Sequence, residues 1–376
     1  MSLTLVFTLL LVALVFEYIN GFHDTANSIA TVVATKVLSP MQAVGLAAAT
    51  NLIGALWGTA VAKTIASGLI DTHVVDVTAQ LILCALAGAT VWNLITWGLG
   101  LPSSSSHALI GGLCGAALAS SHGRWAAIIW SQPAHPWFKG AGVFWKVIVP
   151  MVTSPVLGFI GAFALLALLY AIIVGISRLG GPLSRLARPR WVNAFFRKAQ
   201  LGSAAYMGFA HGSNDAQKTM GIIALALVSA SKAGQLDALP HWLDFLRPSA
   251  ASLAHGDIDL WIKLSCAIVM ASGTAAGGWR IIKTLGHKMV KLHPIDGFVA
   301  ETAAATVITY ASSLGIPVST THNISGAIMG AGCAKNPHAV KWGVIERIIW
   351  AWILTIPAAG GAAWVLVRLF EAIGWS

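Results

Sequence analysis

The stretch Leu101-Pro102-Ser103-Ser104-Ser105-Ser106-His107 and its echo, Ile316-Pro317-Val318-Ser319-Thr320-Thr321-His322, decide how this chain is read. Each follows one apolar run and opens another, and the match continues through Gly111/Gly326, Gly115/Gly330 and Ala116/Ala331. Proline disfavours helix at the residue before it and suits the first turn of a new helix, so each motif predicts a break followed by a helix N-terminus. Ser104, Ser105, Ser106, Ser319, Thr320 and Thr321 then sit beside free backbone N–H groups at the positive end of a helix dipole. That is an anion site without a fixed cation. An isolated Ser/Thr pair is more often a cap, or bonds to a carbonyl one turn back. Two related copies inside short apolar segments favour the binding reading. A nucleophilic Ser assisted by His107 is weaker, because adjacent residues on a helix do not face each other.

A second pair of motifs flanks these in the same order. Gly21-Phe22-His23-Asp24-Thr25-Ala26-Asn27 matches Gly212-Ser213-Asn214-Asp215-Ala216-Gln217-Lys218, each with Asp three residues after Gly. Together the four motifs predict four interruptions of helix at membrane depth, where irregular backbone marks a site. They also predict an internal duplication: an N-terminal repeat over 1–176, a basic linker over 177–200 and a C-terminal repeat over 201–376. A carboxylate inside an apolar span is costly and is by default a functional group with a partner, so Asp24 and Asp215 are candidates, with His23, Asn27, Asn214 and Lys218 beside them. Their oxygens suit a hard monovalent cation, and a carboxylate alone can carry a proton. An Asp that caps a broken helix is the plainer alternative.

Composition sets the surroundings. Of 376 residues, 57% are hydrophobic and 10% charged, against roughly 25% charged in a soluble domain. Lipid, not water, must cover much of the surface, and the length allows about 10 to 12 passes of ~20 residues each. The expected fold is an all-α polytopic membrane protein of two inverted repeats with broken helices and re-entrant hairpins. A net charge of +10 would suggest nucleic acid in a soluble protein. Here six basic and no acidic residues fall between Arg178 and Lys198, and four more at Arg280, Lys283, Lys288 and Lys291, which reads as cytoplasmic loops and no nucleic-acid partner. Segment 231–263 carries Asp237, Asp244, Asp257 and Asp259 without that excess and is placed outside. Cys84, Cys114, Cys266 and Cys333 read as free thiols, and Trp125, Trp130, Trp137 and Trp145 as interfacial anchors.

GFHDTANSIAT, AHGSNDAQKTMGI, LPSSSSH and IPVSTTH together closely resemble the inorganic phosphate transporter (PiT) family, in particular its bacterial low-affinity members. The resemblance spans essentially the whole chain. It implies a secondary transporter in the bacterial plasma membrane, a homodimer, with phosphate held by Ser104, Ser105, Ser106, Ser319, Thr320 and Thr321. Asp24, Asn27, Asn214 and Asp215 would serve cation coupling. One departure stands out: Lys218 occupies the place of Asn27 in the second copy, whereas sodium-coupled members resemble one another in carrying Asn at both. A fixed ammonium there disfavours sodium. The expectation is proton coupling, with Asp215 and Lys218 paired and Asp24 or His23 as carrier. No enzyme activity and no resident cofactor are expected, only a co-transported proton or sodium ion and, as in similar bacterial members, a divalent metal carried with phosphate.

Glu17 and Glu301 are supporting acids, the first lining the same cavity or satisfied by a partner, the second a proton relay or a structural group. His107 and His322 orient the hairpins by hydrogen bonding, ahead of a metal or proton role. Phosphate offers a P–OH donor that sulfate lacks, so a site containing carboxylates prefers it, at about 1 to 3 kcal/mol per unpaired buried group. A sulfate or other oxyanion carrier is the alternative, and a membrane-embedded hydrolase a more distant one.

Overall fold

The computed structural model describes residues 3–67, 69–136, 140–237 and 239–374. Trp137 lies outside them. Thirteen α-helices follow one another among the described residues. The first half comprises α1 (Leu3–Ala34), α2 (Pro40–Ala55), α3 (Ala60–Ser67), α4 (Ala79–Leu99), α5 (Ser105–Ser120) and α6 (Val149–Arg178). The second comprises α7 (Pro189–Lys232), α8 (Ala250–His255), α9 (Leu260–Ala276), α10 (Trp279–Lys283), α11 (Pro294–Ser313), α12 (Thr320–Lys335) and α13 (Trp342–Ala372).

Local chemistry sets most boundaries. Ser39 and Gln42 form a capping box with Pro40 in the first turn of α2, and Thr78 caps α4. Both helices that precede a hairpin end on a glycine in the left-handed region, Gly100 (φ 66°) after α4 and Gly315 (φ 67°) after α11, where a side chain would be strained. By length and apolar composition α1, α4, α6 (with the π turn Phe144–Ile148 before it) and α13 can each cross a membrane, as can two bent pairs, α2 with α3 (70°) and the segment His241–His255 with α9 (110°). Helix α6 exposes Val152, Val156, Leu157, Ile160, Phe163, Leu168 and Ile172, an apolar face suited to lipid.

Two expectations are corrected. The Asp motifs do not interrupt helix: α1 runs through Gly21–Asn27 and α7 through Gly212–Lys218 without a break. Neither motif contains proline, and their polar side chains find partners sideways on other helices, so the backbone ladder needs no relief. The capping alternative for Asp24 and Asp215 falls for the same reason. Within the basic stretch 177–200, Pro189 opens α7 and residues 189–200 are its first turns.

The halves cover each other. Helix α2 packs on α7 and α9 on α1; α5 lies against α13 and α12 against α6. Helices α1 and α7 are antiparallel, since Thr35 meets Gln200 at one end and Glu17 meets Thr219 further along. The hairpin helices, 16 residues each, are about 24 Å long and fall short of a ~30 Å hydrocarbon layer.

Candidate functional site

The two hairpins are copies down to single hydrogen bonds. Leu101 N bonds to Thr96 O and Ile316 N to Ala311 O; Ser103 N bonds to Leu101 O and Val318 N to Ile316 O. Ser104 and Ser319 are then N-caps of α5 and α12, each accepting at 3.2 Å from the backbone N–H of His107 and His322. Ser105 and Ser106, and Thr320 and Thr321, follow in the first turns, all buried. The predicted N-terminal clusters therefore exist in both copies.

The Asp motifs meet these hydroxyls at the middle of α1 and α7. Ser105 Oγ donates toward Asp24 Oδ2 at 2.6 Å, and Thr320 Oγ1 donates to Asp215 Oδ2 at 3.0 Å. Three residues on, each helix reaches across to the opposite hairpin. Asn27 Nδ2 donates to Thr321 Oγ1 (2.8 Å) and Thr320 Oγ1 (3.1 Å), and Lys218 Nζ donates to Ser106 Oγ. Every Asp thus holds the hairpin of its own half, and every Asp+3 residue holds the other.

The copies differ in their cations. Lys218 Nζ also contacts Asp215 Oδ1 and Val318 O at 3.2 Å, so a tethered ammonium is surrounded by three oxygens. Asn27 gives its copy only amide donors. Asp24 instead hydrogen-bonds His23 Nδ1 at 2.7 Å, and His23 Nε2 faces Thr96 Oγ1 at 3.2 Å. At the place of His23, Asn214 carries no titratable group and donates to Val318 O at 3.2 Å. His211 Nε2 lies 3.0 Å from Asp215 Oδ2 while its Nδ1 bonds to Asn51 Oδ1. Asp24, His211 and Asp215 each bring one ligand atom within 4.8 Å of the others, the one such buried trio among the described residues and the group able to meet a cation.

The two supporting acids are each partnered, whereas the hairpin imidazoles depart from the expected hydrogen bonding. Glu301 accepts from Thr31, Gln200 (3.1 Å) and Ser203, a fully satisfied carboxyl between α1, α7 and α11. Glu17 accepts from Thr219 and, at 3.4 Å, from Asn20. The hairpin imidazoles pack instead of hydrogen-bonding: His107 and His322 lie edge to face at 4.7 Å, and His322 stacks on Trp352 at 4.0 Å. Neither ring nitrogen of His107 has a hydrogen-bond partner among the described residues, because the ring is enclosed where the two hairpin helices meet. Sequence reasoning overlooked His211 and Asn20, which occupy equivalent places four residues before Asp215 and Asp24, and the polar pair Thr96 and Ser103 behind His23. At the span ends, Trp125 and Trp130 are exposed and Trp145 lies in the π turn before α6. All four cysteines are unpaired.

Two carboxylates, two imidazoles, one ammonium and the hydroxyls of Ser105, Ser106, Thr320 and Thr321 therefore converge, a set of groups able to donate to an oxyanion and to balance its charge. His107 faces His322 and not a hydroxyl, so the pairing of a hairpin serine with His107 as its base is not formed.

Comparison with known proteins agrees with this geometry. Residues 20–363 match the model of the phosphate transporter family, PHO4. The chain is 40% identical over 374 residues to a probable low-affinity inorganic phosphate transporter of Bacillus subtilis (strain 168), covering 98% of this chain and 99% of that one. It is 44% identical to the protein of the same description from Rhizobium meliloti (strain 1021), covering 96% of each, and 42% identical to that of Mycobacterium bovis, covering 96% of this chain and 76% of that protein. A solved structure described as the sodium-dependent phosphate transporter shares the fold with a TM-score of 0.78 at 24% identity, covering 99% of this chain and all of that one. An all-helical multi-pass membrane protein with this site has a transport rather than a catalytic role, and the chain belongs to the phosphate transporter family.

Proposed function

We propose that the chain imports inorganic phosphate across the bacterial plasma membrane together with protons, by alternating access around the two hairpins. Supporting this reading is the place of Lys218. Its Nζ is held by Asp215, Ser106 and the Val318 carbonyl, the oxygen cage a hard monovalent cation would need. The second copy carries its cation covalently. In the first copy Asp24 is bonded by the Ser105 hydroxyl and by His23, an imidazole that becomes a cation by taking a proton. With both Asp ionised, the centre holds two negative charges against one fixed positive charge, and an arriving phosphate worsens the imbalance. A proton on the His23–Asp24 pair offsets it, so the loaded carrier crosses more readily than one loaded with phosphate alone.

In this reading the hydroxyls of Ser105 and Thr320 turn from the carboxylates to phosphate oxygens, and a carboxylate accepts the P–OH. Sulfate has no such proton, which leaves a buried carboxylate unsatisfied. The antiparallel α1 and α7 and the exchange of partners between halves support two inverted repeats; the basic excess between Arg178 and Lys198 supports a cytoplasmic linker, and the family resemblance supports a dimer. The Asp24, His211 and Asp215 trio supports a divalent metal travelling with phosphate as a second form of the substrate.

Uptake of labelled phosphate into proteoliposomes, with sodium and pH gradients set independently, tests the coupling. An acidic exterior should drive concentrative uptake without sodium, and excess sulfate should leave it unchanged. Uptake driven by sodium at equal pH on both sides would overturn proton coupling.

A further inference from the structure

Resting on the proton-coupled reading, we propose that Glu17 is a second proton-binding site of the transport cycle, loaded before the His23–Asp24 pair and on the side of the α1 N-terminus. Glu17 is fully buried in the middle of a spanning helix. Its two oxygens are treated unequally. Oε2 receives both donors, Thr219 Oγ1 and Asn20 Nδ2, while Oε1 is buried with no hydrogen-bond partner among the described residues. Among the described residues no cationic side chain bonds to either oxygen, for Lys218 is committed to Asp215, Ser106 and Val318. A carboxylate buried without a cation in an apolar span is expensive, and a proton on the bare oxygen removes the charge at no loss of either donor. From the elements packed on α1, the titratable and charged groups that act on Glu17 are Asp215 and Lys218 of α7 and the Cys266 thiol of α9.

Position gives the proton a route and a consequence. A cavity of about 910 Å³ is lined on α1 by Val6, Leu9 and Leu10 and on α7 by residues from Ala224 onward, with His73, Asp76 and Lys232 at its polar wall. Along α1 the order from that cavity is Leu10, Glu17, Asp24, at intervals of seven residues, so Glu17 is the first acid on α1 between the cavity and Asp24. From Glu17 the contacts lead on through Asn20 to Ser105, whose Oγ lies 2.6 Å from Asn20 Oδ1 and 2.6 Å from Asp24 Oδ2. One hydroxyl hydrogen cannot serve both acceptors fully. With Asp24 ionised it points to Asp24; with Asp24 protonated it is free to turn to Asn20 or to phosphate. The balance is simple: an O–H bond forms at Oε1 with a proton from water on the cavity side, and the same bond breaks to water when the site opens on the opposite side.

Glu17→Gln keeps the shape and an oxygen for Thr219 and Asn20 but cannot take up and release a proton. In proteoliposomes holding a pH-sensitive dye, labelled phosphate and proton movement are read together. The variant should move one proton fewer per phosphate than the wild type and lose concentrative uptake about tenfold, while exchange of labelled for unlabelled phosphate at equal pH stays within about twofold. Glu17→Asp should restore the wild-type proton count and shift the pH profile of uptake. An unchanged proton count in Glu17→Gln overturns the proposal and leaves proton coupling standing; a wild type that moves no protons overturns both. Should the Gln variant fail to fold, an unchanged pH profile in Glu17→Asp overturns it instead.

Discussion

The two copies of the Asp motif bind their hairpins by the same geometry and differ in how they carry charge. Asp24–Ser105 corresponds to Asp215–Thr320, and Asn27–Thr321 to Lys218–Ser106. Yet the second copy carries a permanent ammonium on its Asp, with His211 beside it, while the first places a neutral amide where that ammonium stands and has only an imidazole, His23, as the basic group bonded to its Asp. A binding site needs only the shared part. In the proposed proton-coupled cycle this difference has a use, because a fixed cation in one half and none in the other lets occupancy change the net charge of the centre. In that proposed cycle the second copy is the anchor and the first the switch.

The largest expected effects separate those roles. Asp24→Asn should abolish concentrative phosphate uptake, a loss of about 100-fold or more, with the folded yield in detergent unchanged. Uptake near the wild-type level would remove Asp24 from coupling. Lys218→Met should act on folding first, since removing one partner of a buried ion pair costs about 3 to 5 kcal/mol. Asp215→Asn combined with Lys218→Met leaves no orphaned charge and should recover most of that loss in a thermal melt. If the double variant is no more stable than Lys218→Met alone, the two residues are not an ion pair in the protein.

A smaller effect tests the shared part. Ser105→Ala and Thr320→Ala each remove one neutral donor, worth about 1 kcal/mol or roughly fivefold in KM for phosphate. Because the hairpins are copies, the two values should agree within a factor of about two to three. A change in only one would mean that a single hairpin grips the anion and the other is a scaffold.

How much of this was legible in the sequence follows from where each signal resides. Leu101–His107 and Ile316–His322 are local: proline, the capping serine and the preceding glycine act within a few residues, and the hairpins fold as those residues dictate. The Asp motifs were misjudged for a physical reason. Polarity at membrane depth was equated with broken backbone, although neither motif holds a proline and a continuous helix satisfies its own N–H and C=O groups. That single error concealed more. On an unbroken helix Asn20 and Asp24, like His211 and Asp215, share a face at four-residue spacing, so both overlooked residues could have been found. Thr96 and Ser103 could not, because their place behind His23 depends on how α4 packs against α1.

The smallest effect probes the exchange of partners between the halves. Gly111 and Gly115 of α5 lie on the backbone of α13, where an added Cβ would fall 2.5 Å from Ile356 O and 2.0 Å from Gly360 O. Gly326 and Gly330 of α12 lie the same way on α6, at 2.2 Å from Pro155 O and 2.1 Å from Phe159 O. These are close backbone approaches of the small-xxx-small kind, and a methyl group must push the helices apart. Gly115→Ala and Gly330→Ala should each lower stability by about 1 to 3 kcal/mol, seen as matched drops in the thermal midpoint. Gly98→Ala on α4, with nothing within 4 Å of its added Cβ, is the control. It should hold or raise the midpoint, since alanine favours helix over glycine by up to about 1 kcal/mol. A hairpin whose glycine tolerates alanine as Gly98 does would not be clamped by the other half, and the symmetry that sets anchor against switch would fail at its base.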